Sequence, residues 1–86
     1  MKFTIERVGR TNSYLLTNKG THTAHDVTVS ANTFTPTIHQ GAPVELPSGV
    51  DIKIGAAIPT GPTDKQITVG YRNTPDGPRK TFPVHP

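Results

Sequence analysis

Two histidines and an aspartate, His22, His25 and Asp26, lie close together in the stretch THTAHDV. Imidazoles three residues apart beside a carboxylate could begin a metal site, since zinc takes nitrogen, sulfur and carboxylate ligands in sets of about three or four. The remaining ligands are not supplied. His39 and His85 sit in unrelated segments at no recognisable spacing, and the chain has no Cys. The group reads as polar loop chemistry, and no metal or other cofactor is expected. Calcium would require clustered oxygen ligands of the Asp-x-Asp kind, whereas Glu6, Asp26, Glu45, Asp51, Asp64 and Asp76 are isolated.

The same acids include no pair placed for acid/base work, and Asp76 is explained by the turn around it. Ser13, Ser30 and Ser48 lack the local signature of an activated nucleophile. Catalysis also needs polar groups converging in a pocket, and a small domain with few apolar residues offers little room for one. No catalytic residue is nominated, and the chain is expected not to be an enzyme. Nine Lys and Arg give a formal charge of +3, but they are spread out, with only Arg79 and Lys80 adjacent. A nucleic-acid binder clusters such residues and interleaves stacking aromatics. Phe3, Tyr14, Phe34, Tyr71 and Phe82 are the only aromatics, most at positions that look inward. Nucleic acid and small-molecule substrates are therefore not expected as partners.

The elements that would position these residues are legible as alternation. Apolar residues recur every second position in Phe3-Ile5, Val27-Val29, Val44-Leu46, Val50-Ile52-Ile54 and Ile67-Val69-Tyr71, the period of half-buried strands. Alternation of this kind shows that a chain with only 31% hydrophobic residues, 9 Pro and 8 Gly folds rather than stays disordered. The predicted strands run Lys2–Val8, Ser13–Thr17, His25–Ala31, Ala42–Leu46, Val50–Ala57, Gln66–Arg72 and Arg79–Val84. The Thr-rich segment Asn32–Gln40 reads as an edge strand broken by Pro36, which lacks the donor a central strand needs. Asn18 and Gly20 are read as tolerating the positive φ of a tight turn. Pro47-Ser48-Gly49 is read as joining its two neighbours into a hairpin, and Pro75-Asp76-Gly77 as a further strong turn.

At 86 residues the chain suits one domain, expected over residues 1–86. The expected core is Phe3, Ile5, Tyr14, Leu16, Val27, Val29, Leu46, Ile52, Ile54, Ile67, Val69 and Tyr71. No stretch approaches the roughly 20 apolar residues that span a membrane, and MKFTIERVGR lacks the apolar run of a signal peptide.

About seven short strands at roughly 8–12-residue spacing predict an all-β, antiparallel β-sandwich of immunoglobulin-like arrangement. The segments LLTNKGTHTAHDVTVS, VELPSGVDIKI and ITVGYRNTPDG resemble bacterial and phage immunoglobulin-like domains of the fibronectin-like, adhesion type, over roughly Ser13 to Gly77. Trp is absent, as is a Cys pair, which disfavours the antibody-type branch.

Domains of this kind occur in phage capsid decoration proteins. The resemblance, with a chain read from Met1 to Pro86 without leader or second domain, implies a structural protein made in the host cytoplasm and seated on a virion. Its partner would be a major capsid or other virion protein present in many copies. The alternative is an adhesion module that binds carbohydrate or protein, cut from a larger bacterial surface protein or enzyme. Contact with the partner is expected through the polar, turn-rich loops Asn18, Lys19, Gly20, Thr21, His22, Thr23 and Pro59, Thr60, Gly61, Pro62, Thr63, Asp64, Lys65, or else along the edge at Asn32–Gln40.

Overall fold

Alternation places every second side chain of a strand on one face, and two such faces can bury one another. In the computed structural model, which describes residues 1–62 and 64–86, this produces eight strands and no helix among the described residues. They are β1 (Phe3–Arg7), β2 (Ser13–Asn18), β3 (Ala24–Ser30), β4 (Thr37–Ile38), β5 (Val44–Leu46), β6 (Asp51–Gly55), β7 (Ile67–Arg72) and β8 (Arg79–Val84). One antiparallel sheet has the order β1-β2-β6-β4 and the other β5-β3-β7-β8. Their inner faces share one buried cluster, in which the Phe3 ring meets Tyr71 and Phe82 edge-on across the sheets at centroid distances of 5.3 and 5.9 Å.

Two links are hairpins. The β1–β2 pair turns through residues 8–12, and β7–β8 through residues 73–78, where Gly77 N donates to Thr74 O at 3.1 Å as Thr-Pro-Asp-Gly predicts. The expected hairpin at Pro47-Ser48-Gly49 is overturned: β5 pairs with β3 and β6 with β2, so this turn crosses between sheets. Val50 N still donates to Pro47 O at 3.1 Å, and Gly49 has the positive φ, 78°, that a type II turn puts at its third residue. Turn chemistry was therefore readable, while the destination of the outgoing strand was set by which inner face Ile52 and Ile54 fill.

The seven strands expected from the sequence are all present, and the eighth, β4, lies in the segment Asn32–Gln40 read as a broken edge strand. Both β4 and β5 run antiparallel to their neighbours β6 and β3, and both point the same way along the sandwich. They form one pass that pairs first with one sheet and then with the other. Pro36, just before β4, is buried, so the Thr-rich segment supplies an edge strand of only two residues, Thr37–Ile38.

Ten of the twelve expected core residues are buried, and Ala24, Ile38, Ala56 and Val84 join them. Ile5 is only partly buried because it faces an open groove between β1 and β8; Val29 is also partly buried, and lies beyond the point where β3 loses its β5 neighbour. Ala24 and Val27 both reach the core although they are three apart. An extra residue must restore the parity. It is accommodated at Asp26, which adopts a positive φ of 51° where the registers of β3 with β5 and with β7 both shift.

Candidate functional site

The two nominated loops are at opposite ends of the sandwich. Strand β2 begins at Ser13, opposite Gly55, and finishes at Asn18, opposite Phe3. The segment Asn18–Thr23 therefore leaves from one end, and Pro59–Lys65, which follows β6, lies beyond the other. One partner surface at a single end cannot engage both.

At the first end, Asn18 is a correction to the sequence reading. It closes β2 rather than opening a loop, and it is fully buried. Its Nδ2 donates to His22 O and to Leu46 O, each at 2.8 Å, and its Oδ1 accepts from Gly20 N at 2.8 Å. Its backbone N donates to Val50 O and its backbone O accepts from Gly49 N at 2.7 Å. Neither Asn18 nor Gly20 has a positive φ. The arch from β2 to β3 is closed by this one amide instead of by backbone torsion. Lys19, Thr21 and His22 are exposed, and Gly20 and Thr23 are half-buried. Ser48 Oγ donates to Gly20 O at 2.6 Å, pinning the arch to the neighbouring turn.

His25 and Asp26 lie on the outer face of the β5-β3-β7-β8 sheet. His25 Nδ1 is 3.1 Å from Glu45 Oε1, and Arg72 Nε is 3.0 Å from Asp26 Oδ2, an ion pair without the angle of a hydrogen bond. Arg72 Nη1 donates to Gly77 O at 2.7 Å. Arg79 on β8 reaches over Gly70 of β7 to β3, donating to Asp26 O at 3.0 Å and to the Thr28 hydroxyl. Among the described residues no three of His, Asp and Glu gather as a metal-holding group.

The opposite end holds the more open chemistry. A cleft of about 410 Å³ is lined by Arg7, Asn12, Tyr14, Ile58, Pro59, Thr60, Lys65 and Pro86. Its frame is fixed from several directions. Ala56 N donates to Asn12 O at 2.9 Å, and Arg7 Nε donates to Thr11 O at 2.9 Å. Asp64, nominated as a contact residue, is instead a brace: its Oδ2 accepts from Asn32 Nδ2 at 3.1 Å, its backbone O from the Thr33 hydroxyl at 2.7 Å, and its Oδ1 from Gln66 N at 2.9 Å. Thr60, Gly61, Pro62 and Lys65 are exposed and Pro59 is half-buried, while Thr63 lies outside the described residues. A second, shallower groove of about 360 Å³ runs between the β1 and β8 edges over Phe3, Ile5, Pro83 and Val84.

No protein-family model matches this chain, and neither a curated protein nor a solved structure is detectably similar to it. The reading of function therefore rests on the geometry. The sequence reading nominated Pro59–Lys65 as exposed contacts without expecting a cleft; of these Pro59, Thr60 and Lys65 line it, and Arg7, Asn12 and Tyr14 were not nominated. The signal for Tyr14 pointed to the core, where its ring lies, and Arg7 is opposite Tyr14 only through the β1–β2 register.

Proposed function

We propose that this chain is a non-enzymatic docking module that seats on a large protein assembly, a phage capsid or other virion surface, in many copies. The observation that carries the reading is the braced end of the sandwich at Pro59–Lys65. There a hydrogen-bonded frame presents donors from Arg7, Asn12, Tyr14, Thr60 and Lys65 at an open cleft. Preorganised loops on a fixed scaffold lower the ordering cost of binding, and repetition on a lattice lets weak contacts act together. The excess positive charge suits an acidic shell surface.

Pairing of β1-β2-β6 and of β3-β7-β8 supports the immunoglobulin-like reading, since it matches the A-B-E and C-F-G blocks of that arrangement. Sugar-binding faces tend to carry exposed aromatics; here Phe3, Tyr14 and Tyr71 are buried, and Phe34 and Phe82 partly so.

Co-sedimentation with purified capsids tests the proposal. Serine at Thr60, Pro62 and Lys65, with Asp64 retained as the brace, should abolish sedimentation, whereas alanine at Lys19, Thr21 and His22 should leave it intact. Saturable binding to a polysaccharide in place of capsids would sink the docking reading and favour a surface module.

A further inference from the structure

The cleft at the braced end gathers two cations and no Asp or Glu side chain. Arg7 extends from the last position of β1 and Lys65 from the segment before β7, so two cations from distant parts of the chain meet in one lining that contains no Asp or Glu. Neither is within ion-pair distance of a carboxylate among the described residues, where the pairs are His25 with Glu45 and Arg72 with Asp26. Arg7 is held through Nε by Thr11 O at 2.9 Å. That bond orients the guanidinium and leaves its two Nη groups for a ligand, and a guanidinium fork is shaped for a planar oxyanion. Tyr14 is 5% exposed, yet it lines the cleft, and no described residue accepts from or donates to its hydroxyl. Asn12 and Thr60 add neutral donors.

Opposite this polar half, Ile58, which packs on the core, with Pro59 and Pro86 makes an apolar half. We infer that the cleft binds a carboxylate carried beside an apolar side chain, as in an acidic segment of a partner protein. The two cations and the phenol favour an anion, and the apolar half gives the side chain beside a carboxylate a place to shed water, which a bare inorganic anion cannot use. A nucleic-acid backbone would instead call for a row of cations with stacking surfaces, which this lining does not contain. The choice of a protein segment rests on the docking reading; the anion preference does not.

Amide chemical-shift titration of the intact chain tests the inference with three probes: acetyl-Leu-Glu-Leu-amide, its Gln counterpart, and inorganic phosphate. Saturable shifts at Arg7, Asn12, Thr60 and Lys65 are expected with the Glu peptide, with affinity lower by about tenfold or more for Gln. The R7Q/K65Q double variant should lose the Glu preference while keeping its remaining spectrum. Tyr14→Phe, which conserves the ring, should weaken the Glu peptide by about threefold to tenfold. Equal binding of Glu and Gln peptides, shifts confined to other surfaces, or phosphate binding more tightly than the Glu peptide would each overturn the proposal. If R7Q/K65Q loses the peptide but still sediments with capsids, docking uses another surface and the cleft inference stands. If the wild type binds the peptide and no capsid, the docking reading fails alone.

Discussion

Asn18 Nδ2 donates to Leu46 O at 2.8 Å, joining the end of β2 to the end of β5 across the two sheets. The same amide holds His22 O and Gly20 N, so one side chain stands in for a turn. Replacing it by alanine would take this partner from the buried Leu46 O, at a cost on the order of 1–3 kcal/mol, and from His22 O and Gly20 N, whose bonds to it are only partly buried and cost less because water reaches them. We expect Asn18→Ala to lower unfolding free energy by about 2–4 kcal/mol in denaturant titration, with Lys19→Ala within about 0.5 kcal/mol of wild type. Equal effects at the two positions would remove the amide from its structural role.

Asp26 combines a left-handed backbone with a half-exposed ion pair to Arg72. Glycine would relieve the torsion while losing the pair, and both effects are about 1 kcal/mol or less. Asp26→Gly should therefore melt near the wild-type temperature, and Asp26→Val should lose about 1–3 kcal/mol because a β-branched residue resists positive φ. Thermal unfolding of the two variants side by side distinguishes them; a Val variant as stable as the Gly variant would argue against the bulge.

Gly70 is bare because Arg79 passes over it. A Cβ there would lie 2.7 Å from Thr28 Oγ1 and 2.8 Å from Arg79 Nη2. Gly70→Ala should destabilise by about 1–2 kcal/mol, and the loss should shrink by about 0.5–1 kcal/mol when Arg79 is already alanine. Strict additivity in that double-mutant cycle would show that the two residues do not meet.

Val69 is fully buried at the middle of β7. An aspartate there would place an unpaired charge among Ile67, Tyr71 and the facing sheet, against a total stability on the order of 5–10 kcal/mol. Val69→Asp should abolish the dispersed amide spectrum, whereas Thr81→Asp on the exposed face of β8 should preserve it. A folded Val69→Asp protein would take β7 out of the core.

Local chemistry was legible wherever one residue decides one conformation. Pro75-Asp76-Gly77 and Pro47-Ser48-Gly49 form turns, and the alternation of Ile52 with Ile54 and of Ile67 with Val69 identifies the inner faces. Partnership was not legible in the same way, because a turn specifies how the chain reverses and not which sheet receives it. Asn18 shows the limit most clearly: followed by Lys19-Gly20 it carries the composition of a loop, and only the arrival of Leu46 and Val50 from distant sequence makes it interior. Asp26 had a readable signal in the spacing of Ala24 and Val27, which breaks the alternation by one residue. The cleft was half legible, since Lys65 sits in a conspicuous Pro/Gly segment whereas Arg7 becomes its neighbour only through folding.

The pass formed by β4 and β5 has a dynamic consequence. Because a single length of backbone is laced first to β6 and then to β3, neither sheet can be peeled at that margin without stripping a partner from the other. The margin where β1 and β8 approach has no such lacing. Sub-global opening should therefore start at that free margin, and amide hydrogens of β1 and β8 should exchange with solvent well before those of β3 and β6.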